Sequence, residues 1–378
     1  MIRVLLANSY SMEYTYDLWK MGKGGSHHVW GKVELDQGNE IAMSILPHQK
    51  YKFLDVIGDK FGIRHLDHQI RIFFSGSKYD IIYAPYSTAN TKFLLYLKWL
   101  GLFRKPLVVA IHQPFLGTNS TSKLRRSLSK SLLTAYDGVI FLSEALKDHT
   151  LRQLDLPKEL ENATIFTAQW GPEKQFYKRL PELAEDDEEP YLISAGLTSR
   201  DYTTLVEAFR SLPYKLVIYA PVSAITDVGD LPPNVVLHSG FVPYHELLSV
   251  YQKSKAVLIP LKYPLKKQGC QGMTSLQDVI ALSKPVIITE TPTLNLDVEK
   301  EGIGLTVPMG DVEGWVSAVR KLMENEPLRQ EMIEKTKDIF ENRFNMDVYA
   351  ERLTKILSFV YAKKKGKIRK KDHLDFNR

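Results

Sequence analysis

Short apolar runs alternate with helical stretches along almost the whole chain, and this order restricts the fold more than any single composition value. In the first half the runs are Val4–Ala7, Ile81–Ala84, Leu107–Ile111 and Gly138–Leu142; in the second they are Tyr191–Ser194, Lys215–Ala220, Val235–Leu237, Ala256–Ile259 and Pro285–Ile288. Near-continuous apolar runs mark strands buried on both faces, and strands separated by helices assemble into parallel sheets. The expected class is α/β, with two doubly wound sheets. Between the halves lies Pro181–Pro190, PELAEDDEEP, acidic and bracketed by prolines. It reads as an exposed hinge, and the domain boundary is placed there. Met346–Lys365 carries Val348, Leu353, Ile356, Leu357 and Val360, the pattern of an amphipathic helix that either domain could own.

Composition removes several classes. The 378 residues are 44% hydrophobic and 25% charged, which suits a folded globular chain large enough for two domains. The single cysteine, Cys270, excludes an intramolecular disulfide, and the sequence shows no cluster of metal-ligand type. MIRVLLANSY lacks the long apolar core of a signal peptide and reads as a first strand. The apolar run near Phe93–Phe103 is broken by Lys98 and Gly101. It falls short of the roughly 20 residues a bilayer span requires. The expectation is a soluble or peripheral protein. Residues 363–378 hold eight Lys or Arg against Asp372 and Asp375, so this tail carries the whole formal charge of +6. The remainder is formally neutral, which argues against a nucleic-acid-binding surface. The tail reads as a solvated end or as a contact for anionic lipid. Lys123–Leu133 places Leu124, Leu128 and Leu132 one turn apart among basic residues, a stripe for either the core or a lipid surface.

The chemistry is best sought in Cys270–Thr289, CQGMTSLQDVIALSKPVIIT. Gly272 lets backbone approach a ligand, and Thr274 or Ser275 is placed to cap a helix whose N–H groups would face a phosphate. Leu276, Val279 and Ile280 share the inner face, and Asp278 lies about one turn, roughly 5 Å, from that phosphate, where ribose hydroxyls would fall. The alternative is an ordinary loop–helix–strand unit with Asp278 solvated. Gly196 to Tyr202 offers a second phosphate-type turn, with Arg200 as a guanidinium fork or as a surface partner of Asp201 or Glu207. Gly240-Phe241-Val242-Pro243 is a rigid turn whose backbone could read a nucleobase or do nothing more than turn. In the first half, His112 ends a strand, the favoured ligand position in open α/β sheets. His27 and His28 are of a type usually at the surface, and they follow Gly24-Gly25, a pair suited to close backbone approach.

Seven short motifs in one order carry a resemblance across nearly the whole chain: Gly24-Gly25, VAIH ending at His112, DGVIFLSEAL, WGPEKQF, SAGLTSRDYTTLVEAF, LHSGFVPYHELLSVY and QGMTSLQDVIALSKPVI. Together they resemble a family 4 glycosyltransferase of the GT-B fold. The resemblance implies two Rossmann-like domains, an acceptor domain over 1–180 and a nucleotide-sugar domain over 191–345, facing a central cleft where catalysis occurs. It implies a final helix that crosses back to the first domain. It further implies a nucleotide-sugar-dependent, retaining transferase that needs no metal or cofactor and acts on a glycan or glycolipid acceptor; where the basic segments do contact lipid, the expectation extends to a lipid-linked acceptor in a cytoplasmic polysaccharide or glycolipid pathway. By position in the motifs, Arg200 with Gly196 would hold the donor diphosphate, Gly272, Met273, Thr274 and Ser275 the distal phosphate and sugar, Asp278 the ribose, and Val242 the base. Gly24, Gly25 and His27 would form the phosphate and acceptor loop, and His112 would act at the donor sugar, with Arg200, in catalysis.

The departures from the family pattern are specific. The first Glu of the Glu-x7-Glu motif falls at Cys270, and the second is shortened to Asp278. The usual Lys-Gly pair is Arg200-Asp201, with Lys266 or Lys267 as a candidate second charge. These departures leave open an inactive transferase-like subunit that binds nucleotide or scaffolds a partner. Another GT-B activity, an epimerase or a phosphorylase, is the competing enzyme class, although no pyridoxal lysine is identifiable.

Overall fold

The structure, a computed structural model, describes residues 1–85, 88–115, 120–181, 189–225, 227–240, 242–263, 269–369 and 372–376. The chain divides into two compact units, residues 1–171 with 346–378, and residues 172–345.

The first unit is built on a six-stranded parallel sheet of β1 (Ile2–Leu6), β2 (Ile41–Ile45), β3 (Ile81–Ala84), β4 (Leu107–Ile111), β5 (Gly138–Phe141) and β6 (Ile165–Thr167), in the order β2-β1-β3-β4-β5-β6. Its centre is apolar throughout, and β3, β4 and β5 are buried at every residue. The helix Met346–Lys364 belongs to this unit. It buries Tyr349, Leu353, Ile356, Leu357 and Val360, and the Tyr349 hydroxyl meets that of Tyr83 on β3 at 2.5 Å. Two glycines make room for it. A Cβ on Gly31 would lie 2.8 Å from Leu353 Cδ2, and one on Gly138 would lie 3.3 Å from Val360 Cγ2.

The second unit repeats the design with β7 (Tyr191–Ala195), β8 (Lys215–Tyr219), β9 (Val235–His238), β10 (Ala256–Ile259), β11 (Val286–Thr289) and β12 (Gly304–Val307), in the order β12-β11-β10-β7-β8-β9. Leu192, Leu205, Phe209, Leu216, Ile218, Leu258, Ile287, Trp315 and Val319 form one buried cluster against it. In each sheet the strand order reverses beside the first strand, at β1/β3 and at β7/β10, and open sheets bind ligands outside the carboxyl ends at such points.

Three strands have no counterpart among the apolar runs of the sequence: β2, β6 and β12. All three are edge strands. Each has partly exposed residues, so none reads as a buried run. The unit boundary also falls earlier than Pro181–Pro190, at Gly171–Pro172, because Phe176 and Tyr177 on the short helix Lys174–Lys178 are buried in the second unit. Most of the acidic stretch, residues 182–188, lies outside the described residues.

Shortening one side chain of the covering helix tests its place. Leu353→Ala is expected to destabilise the first unit by about 2–5 kcal/mol in denaturant unfolding. A loss of less than about 0.5 kcal/mol, typical of a surface change, would be incompatible with a buried Leu353.

Candidate functional site

At the carboxyl end of β7 the chain turns at Gly196 with φ 132°, a conformation that favours glycine. The guanidinium of Arg200 folds back over this turn, so closely that a Cβ on Gly196 would stand 2.6 Å from Nη2. Arg200 Nε donates to Ala195 O at 3.2 Å, Nη1 to Thr198 O at 3.1 Å and Nη2 to Ser275 Oγ at 2.7 Å. The loop is pinned to the end of β10 by Asp201 N to Pro260 O at 3.1 Å and Lys262 N to Ser199 O at 2.9 Å. Neither acid that could have neutralised Arg200 does so. Asp201 caps the helix Tyr202–Phe209 through Thr204 N, and Glu207 pairs with Arg210 at 2.8 Å. Among the described residues no carboxylate pairs with Arg200. Burial lowers its pKa, yet a guanidinium remains charged at neutral pH.

The helix Met273–Ala281 begins two residues earlier than a Thr274 cap requires and three earlier than a Ser275 cap. Its cap is Gly272 itself, at φ 84°. A Cβ there would press on Ile259 Cγ2 at 3.2 Å and on Leu261 Cδ1 and Ile288 Cδ1 at 3.3 Å. The dihedral favours glycine, and any side chain there would also have to push these three methyls back by a few tenths of an ångström. Met273, Thr274 and Ser275 form the first turn; Met273 N turns back to Cys270 O at 3.2 Å, and the N–H groups of Thr274 and Ser275 have no intrahelical acceptor. Ser275 turns its hydroxyl to Arg200 instead of capping. Cys270, in the place of the first motif acid, is buried and donates its thiol to Thr293 O at 3.3 Å.

Asp278 is not solvated. It is 8% exposed, and its Oδ1 accepts from Tyr177 Oη at 2.6 Å and Tyr244 Oη at 2.5 Å, while the two hydroxyls stand 2.8 Å apart. Burial raises its pKa to about 6, against the pull of the two tyrosine bonds. Burial also pushes both phenols well above their ordinary value, so the protons stay on the tyrosines. Val242 is half-buried between Gly240, at φ 139°, and Pro243, which caps the helix Tyr244–Lys253. Phe241, Lys266 and Lys267 lie outside the described residues. Arg200, Ser275, Asp278 and Tyr244 are thus linked in the second unit. Tyr244 sits inside the motif LHSGFVPYHELLSVY and Tyr177 directly follows WGPEKQF, but they lie 34 and 101 residues from Asp278, so no local spacing signals their role.

In the first unit His112 follows β4 and is buried, and desolvation lowers its pKa to about 4, which keeps the imidazole neutral at pH 7. Gly24 is buried, and Gly25 opens the turn Ser26–Val29. A Cβ on Gly25 would meet the His27 ring at 2.3 Å. His27 is fully buried, contrary to the surface position expected of it, because Trp170 and His28 enclose it. Trp170 Nε1 donates to His27 O at 2.8 Å and its ring stacks on Trp30 at 4.5 Å. Burial keeps His27 neutral, and lowers His28 to about 4. Among the described residues no group of three His, Cys, Asp or Glu side chains is arranged to hold a metal ion.

Comparison with known families assigns both units. The model of glycosyl transferases group 1 matches residues 178–339, and that of glycosyltransferase family 4 matches residues 39–161. The chain is a family 4-like glycosyltransferase of the GT-B class. Solved structures similar in fold include HepE of Anabaena in complex with UDP, at 14% identity and TM-score 0.63, covering 95% of this chain and all of that one. Sucrose-phosphate synthase of Thermosynechococcus elongatus aligns at 14% identity and TM-score 0.66, over 96% of this chain and all of that one. A glycosyltransferase of Rickettsia africae aligns at 13% and 0.61, over 96% and 98%. No curated protein matches the sequence.

The buried acid of this glycosyltransferase gives a signed pH effect. Asp278 ionises near 3.8 when unfolded and near 6 when folded, so folding is penalised progressively as pH rises through that window and fully above it. Asp278→Asn removes the charge and keeps an acceptor for both tyrosines. At pH 7.5 the variant is expected to be more stable than the parent, by an amount on the order of 2–3 kcal/mol, with the gap closing below about pH 4. Parallel pH–stability curves for the two proteins would contradict a buried, charged Asp278.

Proposed function

We propose that this glycosyltransferase moves a hexosyl or related sugar from a nucleoside diphosphate donor to a hydroxyl of a glycan or lipid-linked acceptor. The observation that carries the reading is the Arg200 guanidinium, unpaired with any described carboxylate and bonded to Ser275 on the first turn of a helix. Negative charge builds on the diphosphate as the sugar–oxygen bond breaks. A fixed cation and the N–H groups at Gly272–Ser275 are suited to stabilise it without a metal. Asp278 presents Oδ2 to a ribose hydroxyl while its tyrosine pair holds Oδ1, and the backbone at Val242 meets the base. Uracil is the favoured base, because the similar Anabaena protein has been solved with UDP, with UDP and glucose, and with UDP-glucose.

In this reading the acceptor oxygen attacks the anomeric carbon from the face the diphosphate leaves. The acceptor proton passes to the departing diphosphate, and configuration is retained. Gly24, Gly25 and His27 serve the acceptor loop. His112, a neutral imidazole, offers a hydrogen bond to the donor sugar and not a charge. Bacterial polysaccharide or glycoconjugate synthesis, at the cytoplasmic side of a membrane bearing anionic lipid, is the setting that fits such a transferase. No described helix is long and apolar enough to cross that membrane.

A panel of UDP, GDP, ADP and TDP sugars, read by thermal shift and by product formation, tests the reading. Arg200→Ala is expected to weaken UDP binding about 10- to 100-fold, the worth of one charged hydrogen bond. Unchanged affinity would refute the diphosphate role. Tight binding with no turnover on any donor and acceptor pair would point to a nucleotide-binding subunit.

A further inference from the structure

We propose that the helix Lys52–Lys60 of the first unit is a membrane-contact element that lies on an anionic lipid surface. Its amphipathicity is inverted. Phe53, Val56, Ile57 and, just past its end, Phe61 are 62%, 60%, 43% and 76% exposed, and their i, i+3, i+4, i+8 spacing puts them on one outward stripe. The positions turned toward the protein are Leu54 and Asp55, both half-buried, and Gly58, the one fully buried residue. Asp55 Oδ1 accepts from Asp67 N at 3.0 Å, and Gly58 is buried so tightly that a Cβ would come within 2.3 Å of Ile63 O. The entry to the helix is fixed as well. The buried Asp67 carboxylate accepts from Lys50 N at 3.1 Å and Tyr51 N at 3.2 Å, and is paired with Arg71 at 2.5 Å. The outward stripe is therefore a set orientation, because turning it inward would break these bonds and remove the one residue that fits at position 58.

Charge decides what covers the stripe. Lys50, Lys52, Lys60 and Arg64 are exposed around it, against Asp59 as the exposed acid of this segment, since Asp55 is bound inward. A second copy of the chain docking on the same stripe would bring these like charges together, which opposes self-association. An anionic headgroup layer complements them while the acyl boundary takes the aromatic and aliphatic side chains. The helix Lys123–Thr134 stands in the same layer of successively packed helices. It buries Leu132 but leaves Leu124 80% and Leu128 48% exposed beside Lys123, Arg125 and Arg126. The inference stands apart from the donor site, which lies in the other unit.

The test is co-sedimentation of the full chain with vesicles of phosphatidylcholine alone and of phosphatidylcholine mixed with phosphatidylglycerol. The expected result is pelleting with the anionic vesicles, reduced at least about tenfold in the combined variant F53S, I57S and F61S, with thermal unfolding unchanged. K52E with K60E is expected to abolish the preference for phosphatidylglycerol. Deleting residues 363–378 should weaken the binding and not remove it. Wild-type partition in the combined apolar variant would overturn the proposal, as would vesicle binding that depends on the tail alone. A dimer in sedimentation velocity that the apolar variant converts to monomer, with no vesicle binding by either, would assign the stripe to a second copy and overturn it too.

Discussion

The bonds from Arg200 to Ala195, Thr198 and Ser275 tie together the loops at the carboxyl ends of the second unit's central strands. They join two loops 75 residues apart in the chain, one leaving β7 and one leading into the helix Met273–Ala281. Each loop is shaped by a glycine for a different reason. Gly196 makes room for the guanidinium, and Gly272 is pressed against Ile259, Leu261 and Ile288 of the strand ends. A cation held by neutral acceptors keeps its charge unspent, whereas a paired one would have to exchange its carboxylate for a ligand. Among the described residues the cation has no carboxylate partner, and this follows from Asp201 and Glu207 each being engaged elsewhere.

Asp278 shows the opposite balance. Its carboxylate is buried beside two phenols and held by bonds to both, yet desolvation still outweighs them. Its charge is therefore held there at a cost in stability. The tyrosines fix its direction, so the remaining oxygen is presented from a rigid frame. Cys270, by contrast, has left the polar role of the family position. Its thiol is absorbed into the local packing against Thr293, and no carboxylate replaces it in the motif.

How much of this was legible in the sequence depended on burial. Central strands such as β4 and β5 are enclosed on both faces, so they read as unbroken apolar runs; the edge strands leave residues exposed, and of these only β9 keeps a readable run, VVL, while β2, β6 and β12 escape the pattern. Arg200, Gly272 and Asp278 stood out because turn glycines, a charge in the loop after a strand and a lone acid one turn into a helix are local signals. Their partners did not. Tyr177 and Tyr244 reach Asp278 only through the fold, the helix cap passed from Thr274 or Ser275 to Gly272 because a positive φ cannot be read from residue type alone, and His27 is buried by a tryptophan 143 residues away.

Two helices of this chain share one apolar spacing and turn it in opposite directions. Leu276, Val279 and Ile280 face the core of the second unit, while Phe53, Val56 and Ile57 face outward in the first. Periodicity fixes only that such residues share a face. What chooses the direction is the competing demand of the polar positions. In both helices an aspartate is turned toward the protein, Asp278 to two hydroxyls and Asp55 to a backbone N–H. In the helix Met273–Ala281 the aspartate and the apolar residues are buried together, since every residue from Ser275 to Ala281 is enclosed. In the helix Lys52–Lys60 only Gly58 is fully buried, and its contact with Ile63 leaves no room for a larger face to replace it. The apolar stripe is then left outside by the seating of its own opposite side, which is the physical reason to look for a partner there and not for a packing fault.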